Sequence, residues 1–247
     1  MTVLDQNLFI VNDRSPVMEV YDVTKFCFKS QLKLKTLVEP TEIVSCRKTH
    51  QMYVFDYKGK DKSKHVIRVD QDGITTLTWS TGDDHGCLSV TNEATIILTV
   101  FWENKLNEYA SNGNLIREIK LPESLNHPRH SLKLNSGNFL VCNRRRVSIL
   151  NLDGNIIGKS FDANAESELA YLLLRLDGSV IVVDENDNSS RVILLNSNLE
   201  FVEDLLSKAE HRLNVPSRIC LDLTNDRLLV VDNNVNIPQV QVFQVEK

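Results

Sequence analysis

The 247-residue chain contains no clustered metal ligands. Its five cysteines, Cys27, Cys46, Cys87, Cys142 and Cys220, form no CxxC pair, and each lies in or beside an apolar run. That spacing argues against a zinc site and predicts buried, reduced thiols in an intracellular protein. No apolar run approaches the ~20 residues that a membrane helix requires. The opening "MTVLDQNLFIVNDR" lacks the basic start and sustained apolar segment of a signal peptide. A cytoplasmic location without membrane association is therefore expected, and the Asn188-Ser189-Ser190 sequon is read as chance. Positive charge is also short. Lys and Arg number 28 against 33 Asp and Glu, a net charge of −5. No uniformly basic surface is available, so DNA is not an expected partner and nucleic acid could meet only a local patch. Catalytic signatures are missing as well: there is no GxSxG, P-loop, HExxH, or GxGxxG opening a helix. No cofactor is expected, and the chain reads as non-enzymatic.

What the chain does have is a period. Six apolar runs share one character: "LFIVND" (8–13), "MYVFDY" (52–57), "IILTVFW" (96–102), "FLVCN" (139–143), "VIVVDE" (180–185) and "LLVVDN" (228–233). Their starts lie 44, 44, 43, 41 and 48 residues apart, a spacing characteristic of repeat architectures. Each run follows a short turn preceded by another apolar segment, and leads through a polar loop to an alternating strand such as "HVIRVD" or "VSILNL". A tight turn comes next in most units. Gly73, Gly113 and Gly154 recur in it 40 and 41 residues apart, as befits a position requiring positive φ. A fourth strand closes most units, as in "TTLTW" and "IREIKL". The nearly all-apolar second strand suits a position covered on both faces. Four strands, here a to d, repeated six times imply an all-β, six-bladed β-propeller of antiparallel blades. The expected blades span about 1–37, 38–82, 83–123, 124–164, 165–213 and 214–247. The last stops after strand c, so it is either incomplete or three-stranded, and the chain is either whole or a fragment of a longer protein. "EFVEDLLSKAEHRL" (200–213) has some helical periodicity, but strand plus loop with one short turn fits the repeat better.

The unit resembles the NHL repeat. "VPSRICLDLTNDRLLVVDNNVNIPQVQVFQV" (215–245) carries the resemblance best, followed by "LDGSVIVVDENDNSSRVILLN" and "QMYVFDYKGKDKSKHVIRVDQDG". The Asp ending strand b is Asp13, Asp56, Asp184 and Asp232 in four units, with Trp102 and Asn143 in the other two. The resemblance implies a propeller of the kind found behind RING, B-box and coiled-coil modules. It also implies recognition of a protein partner, as in ubiquitin-ligase substrate recognition, or of RNA.

The propeller reading places b–c and d–a loops on one face, where the charge is uneven. Lys58, Lys60, Lys62 and Lys64 lie in the second b–c loop, Arg144, Arg145 and Arg146 in the fourth, and Arg129 in the d–a loop entering the fourth blade. Asp184, Glu185 and Asp187 mark an acidic sector in the fifth. A protein-interaction platform is the favoured reading of this face. RNA binding through the basic sector is the alternative, set back by the scarcity of aromatic stacking platforms beyond Tyr57 and Trp102. A second alternative is a metal-dependent, lactonase-type hydrolase, with Glu42, Glu168 and Asp222 as inner-strand carboxylates. His127 and His130 of "HPRH" are expected at a loop surface. Oligomeric state is left open.

Overall fold

A computed structural model describes residues 1–12, 15–58, 63–82, 86–233 and 238–245. They form six antiparallel sheets, the blades of a six-bladed β-propeller. The first blade comprises β1 (Thr2–Leu4), β2 (Asn7–Val11), β3 (Val17–Asp22) and β4 (Cys27–Lys33). The second comprises β5 (Pro40–Cys46), β6 (Gln51–Lys58), β7 (Ser63–Val69) and β8 (Thr75–Ser80). The third holds β9 (Gly86–Val90), β10 (Ile96–Val100), β11 (Lys105–Tyr109) and β12 (Leu115–Lys120). The fourth holds β13 (His130–Lys133), β14 (Phe139–Cys142), β15 (Arg146–Leu150) and β16 (Ile156–Asp162). The fifth contains β17 (Leu169–Leu174), β18 (Val180–Asp184), β19 (Arg191–Leu195) and β20 (Phe201–Ser207). The sixth has three strands, β21 (Pro216–Asp222), β22 (Arg227–Asn233) and β23 (Pro238–Gln244). By compactness the chain divides into two units, residues 1–100 with 107–118, and residues 101–106 with 119–247.

Burial follows the sequence pattern. Strands β10, β14 and β18 are buried at every residue, whereas β8 alternates and β4 is largely exposed. Second strands lie inside a blade and gain cover on both faces; fourth strands form the rim. In the first unit, Leu4, Phe9, Met18, Ile43, Val54 and Ile67 belong to one apolar cluster, and Tyr53, Phe55, Leu88, Ile96 and Leu98 to another. In the second unit, Leu140, Leu172, Val182, Ile193 and Leu195 pack together.

The recurring Asp has a local job. Asp56 accepts the backbone N–H of Val38 at 3.0 Å and of Glu39 at 2.9 Å. Asp232 accepts those of Asn214 at 3.0 Å and Val215 at 2.8 Å. Asp184 accepts the N–H of Glu168 at 2.8 Å. Each carboxylate is 1% exposed or less and ties the start of its blade's inner strand to the end of the second. Asn143 does a related task with opposite polarity. Its Nδ2 donates to the carbonyls of Ser124 and Asn126, while Oδ1 accepts the N–H of Arg145 and Arg146. Asp13 lies outside the described residues.

Gly73, Gly113 and Gly154 adopt φ of +81°, +85° and +81° in the c–d turns. At Gly154 a Cβ would also lie 2.2 Å from the Lys120 carbonyl oxygen, so neither geometry nor space admits a side chain. Residues 200–213 form a strand followed by a short turn, as expected. Strand β20 runs into a single helical turn, α1 (Lys208–His211), whose first turn is capped by Ser207 and which ends at Arg212 with φ +56°.

Candidate functional site

The described site lies in the second unit, where the inner strands of three successive blades present one register position. Ser131 pairs with Val141, Leu172 with Val182, and Ile219 with Val230. The residue before each of these is His130, Tyr171 or Arg218. Register shifts on either side of Ala170 and Ser217 set Tyr171 and Arg218 at β-bulges, which re-aim side chains at strand ends. His130 stacks on the Tyr171 ring with centroids 3.9 Å apart at 23°, and the Arg218 guanidinium lies 5.2 Å from the same ring. The Leu172 backbone N–H donates to His130 Nδ1 at 3.3 Å, which holds the imidazole plane. His130 is 1% exposed. The loop-surface expectation is thereby corrected: His130 is the first residue of β13 and sits on its buried side.

Charged side chains surround this row. Arg129 reaches Glu168 at 3.6 Å and Glu185 at 3.7 Å, and Arg144 Nε reaches Glu168 at 3.0 Å. Arg129 also lies 5.6 Å from the Phe101 ring centroid. Phe101 belongs to an aromatic group with Trp102, at 4.6 Å and 88°, and His127, at 4.9 Å. The His127 N–H donates to Asn104 Oδ1, fixing this loop to the Phe101–Asn104 turn. Trp102 remains 58% exposed. Burial raises the Glu185 carboxyl above the usual glutamate range, opposed by Arg129 and Arg218 and reinforced by Glu168. Arg129 Nε is buried and has no hydrogen-bond partner among the described residues.

The eight basic residues of the sequence reading have different fates. Arg129 and Arg144 are paired to acids of the fifth blade, so the basic and acidic sectors interlock here. Arg145 is exposed at the loop tip and has no ion pair among the described residues. Arg146 is the first residue of β15 and pairs with Asp162 at 2.5 Å. Lys64 is not a loop-tip cation. It lies in β7, is 2% exposed, and its ammonium sits 4.8 Å from the Tyr57 ring centroid. Lys58 belongs to β6, and Lys60 and Lys62 lie outside the described residues.

The three inner carboxylates are also engaged. Glu42 is 3% exposed, and accepts the Leu88 N–H and, at 3.0 Å, the Cys87 thiol. Glu168 is held by Arg129 and Arg144. Asp222 is fully buried and caps the following turn through the Thr224 N–H and the Asn225 side chain. Sequence reasoning missed Tyr171, Arg218 and the packing of Phe101 and His127. A partial signal was present: His130 and Tyr171 each lie 13 positions before the residue that ends strand b, Asn143 and Asp184, whereas Arg218 lies 14 before Asp232.

Nothing among protein-family models or curated proteins matches this chain. Solved structures do. Virginiamycin B lyase from Staphylococcus aureus is 10% identical with a TM-score of 0.64, covering 98% of this chain and 81% of its own. A Lactobacillus plantarum protein is 14% identical with a TM-score of 0.67, covering 99% and 83%. Kuenenia stuttgartiensis hydrazine synthase is 14% identical with a TM-score of 0.64, covering 94% and 76%. The chain is a six-bladed β-propeller. At these identities the likeness carries the fold alone.

Proposed function

We propose that this propeller is a non-catalytic recognition module that binds a protein partner through the surface formed by Trp102, Arg129, Arg144, Arg145, Glu168 and Glu185. The observation that carries the reading is the exposed Trp102 ring, joined through Phe101 and Arg129 to the arginine–glutamate cluster. Tryptophan and arginine are the residues that most often dominate protein interfaces, because each combines apolar contact area with directed polar groups. The cluster is also held in place before any partner arrives, which lowers the ordering cost of binding. The resemblance to NHL repeats supports the same use, including substrate recognition for a larger assembly.

RNA is the less favoured ligand. Phosphate binding needs free cations, and Arg129 and Arg144 are already neutralised by Glu168 and Glu185. The test compares proteins retained from a cell extract by the wild type and by Trp102→Ala with Arg145→Glu. Loss of a defined set of proteins supports the reading, whereas an identical set overturns it. A parallel arm measures retention of a random single-stranded RNA pool at low and high salt. Strong, salt-sensitive retention abolished by the same substitutions would transfer the surface to RNA.

A further inference from the structure

A concave site lies between the face of β23 and the α1 segment that follows β20. It is a cleft of about 560 Å³, an ordinary size for a small-molecule site, lined by Lys208, His211, Arg212, Asn214, Gln239 and Gln241. Gln239, Gln241 and Phe243 alternate along β23 and so share one face, and Phe243 meets the His211 ring at 5.8 Å and 76°. The cleft is thus walled by side chains that stand on the face of the sheet. A strand added beside β23 would extend the sheet in its own plane without filling the cleft.

The polar groups of the cleft are set in place. Arg212 is held at φ +56°, a conformation usually left to glycine at a helix end, and its N–H donates to the Lys208 carbonyl at 3.1 Å. Its guanidinium makes no ion pair or hydrogen bond among the described residues. The Lys208 ammonium donates to the Asp187 carbonyl. His211 Nδ1 accepts the Ser207 N–H at 3.2 Å, so the neutral imidazole carries its proton on Nε2. Gln241 Nε2 donates to Asp232 at 2.9 Å, which leaves Oε1 as an acceptor.

This set of groups specifies a ligand class. No carboxylate lines the cleft among the described residues, and the acids of the adjoining segments are engaged: Asp232 by Asn214, Val215 and Gln241, and Glu210 by the Ser207 hydroxyl at 3.4 Å. Two cations and an imidazole N–H match a phosphate, which offers about two negative charges and three acceptor oxygens. Three side-chain amides, each both donor and acceptor, match hydroxyl groups. The lining has no Phe, Tyr or Trp ring on which a nucleobase could stack.

We propose that the cleft is a second binding site, for a small phosphorylated polyol of sugar-phosphate size. Lys208 and Arg212 take the phosphate, His211 Nε2–H adds a donor to it, and Asn214, Gln239 and Gln241 meet the hydroxyls. None of these residues belongs to the Trp102–Arg145 surface, so either reading can fail alone.

The test is calorimetric titration of the full chain with glucose 6-phosphate, inorganic phosphate and glucose. Glucose 6-phosphate is expected to bind about tenfold more tightly than phosphate or better, and glucose not measurably. Arg212→Gly removes the guanidinium and relieves the positive φ. It should weaken glucose 6-phosphate binding about tenfold or more, with a urea midpoint equal to or above that of the wild type. Trp102→Ala should leave the affinity unchanged. Absence of binding at millimolar glucose 6-phosphate overturns the proposal, as does equal affinity for phosphate alone or an unchanged Kd in Arg212→Gly. A phosphoserine peptide that binds more tightly than the sugar phosphate also overturns it, by assigning the cleft to a phosphorylated protein.

Discussion

Replacing Asp232 by alanine tests how the blades are tied together. Asp232 is 1% exposed, and its carboxylate takes the Asn214 N–H, the Val215 N–H and the Gln241 amide at 2.8–3.0 Å. Alanine removes all three acceptor contacts and leaves two backbone donors stranded at the entry to β21. A charge-assisted hydrogen bond contributes about 1.5–3 kcal/mol, and a stranded buried donor costs about 1–3 kcal/mol. These effects overlap, so the expected loss is about 3–5 kcal/mol rather than their sum. Asp232→Asn keeps one acceptor oxygen and should lose about 1–3 kcal/mol. Asn143→Asp is the reciprocal experiment. The new carboxylate would face the Ser124 and Asn126 carbonyls, which now accept from Nδ2 at 3.2 and 3.4 Å, so it should destabilise as well. Urea denaturation followed by circular dichroism and by tryptophan fluorescence reads each value. If Asp232→Ala unfolds within 1 kcal/mol of the wild type, the lock is not structural and the recurring Asp needs another explanation.

Other consequences are as specific. Burial holds the Glu185 carboxyl above its ordinary range, so the folded state binds this proton more tightly than the unfolded chain does. The group's contribution to stability is therefore greatest at low pH and declines as pH rises above the ordinary glutamate value. Glu185→Gln should gain stability relative to wild type as pH rises above the ordinary glutamate value, as read by thermal unfolding at several pH values; a pH-independent difference would contradict this. Gly154→Ala must accept both a positive φ and a clash with the Lys120 carbonyl, so about 2–4 kcal/mol should be lost. Gly178→Ala, with only Ser197 Cβ at 3.6 Å, should lose about 1 kcal/mol; equal losses would refute the clash. Burial pushes the Cys142 thiol up to about 12. In native protein, iodoacetamide should therefore label the exposed Cys27 and spare Cys142, with mass mapping of the labelled peptides as the check.

The architecture was legible because a blade writes its pattern along the chain. A nearly all-apolar second strand recurs every 41 to 48 residues, an alternating third strand follows it, and in three blades a glycine turn comes next, so local rules suffice to interpret them. The face shared by b–c and d–a loops was legible for the same reason, and Arg129 and Arg144 do meet there. What escaped depends on contacts between blades. Lys64 reads as part of a lysine-rich loop, yet strand β7 begins one residue earlier and turns it onto Tyr57. His130 follows a proline and an arginine, which look like loop, but strand pairing with Cys142 brings it against Tyr171. The Arg144–Glu168 bridge joins residues 24 positions apart, and no periodicity within one blade encodes it. Loop charges therefore appeared to lie in separate sectors when their side chains in fact interlock.

The most direct test of the proposed recognition surface is an affinity measurement on the single variant Trp102→Ala. The partner would be whichever protein the wild type retains from extract and Arg145→Glu loses, titrated by calorimetry against both forms. Truncating an exposed tryptophan at the centre of an interface costs about 2 kcal/mol or more, so the Kd should rise about 30-fold with the urea midpoint unchanged. An unchanged Kd would contradict the assignment of this surface to partner recognition.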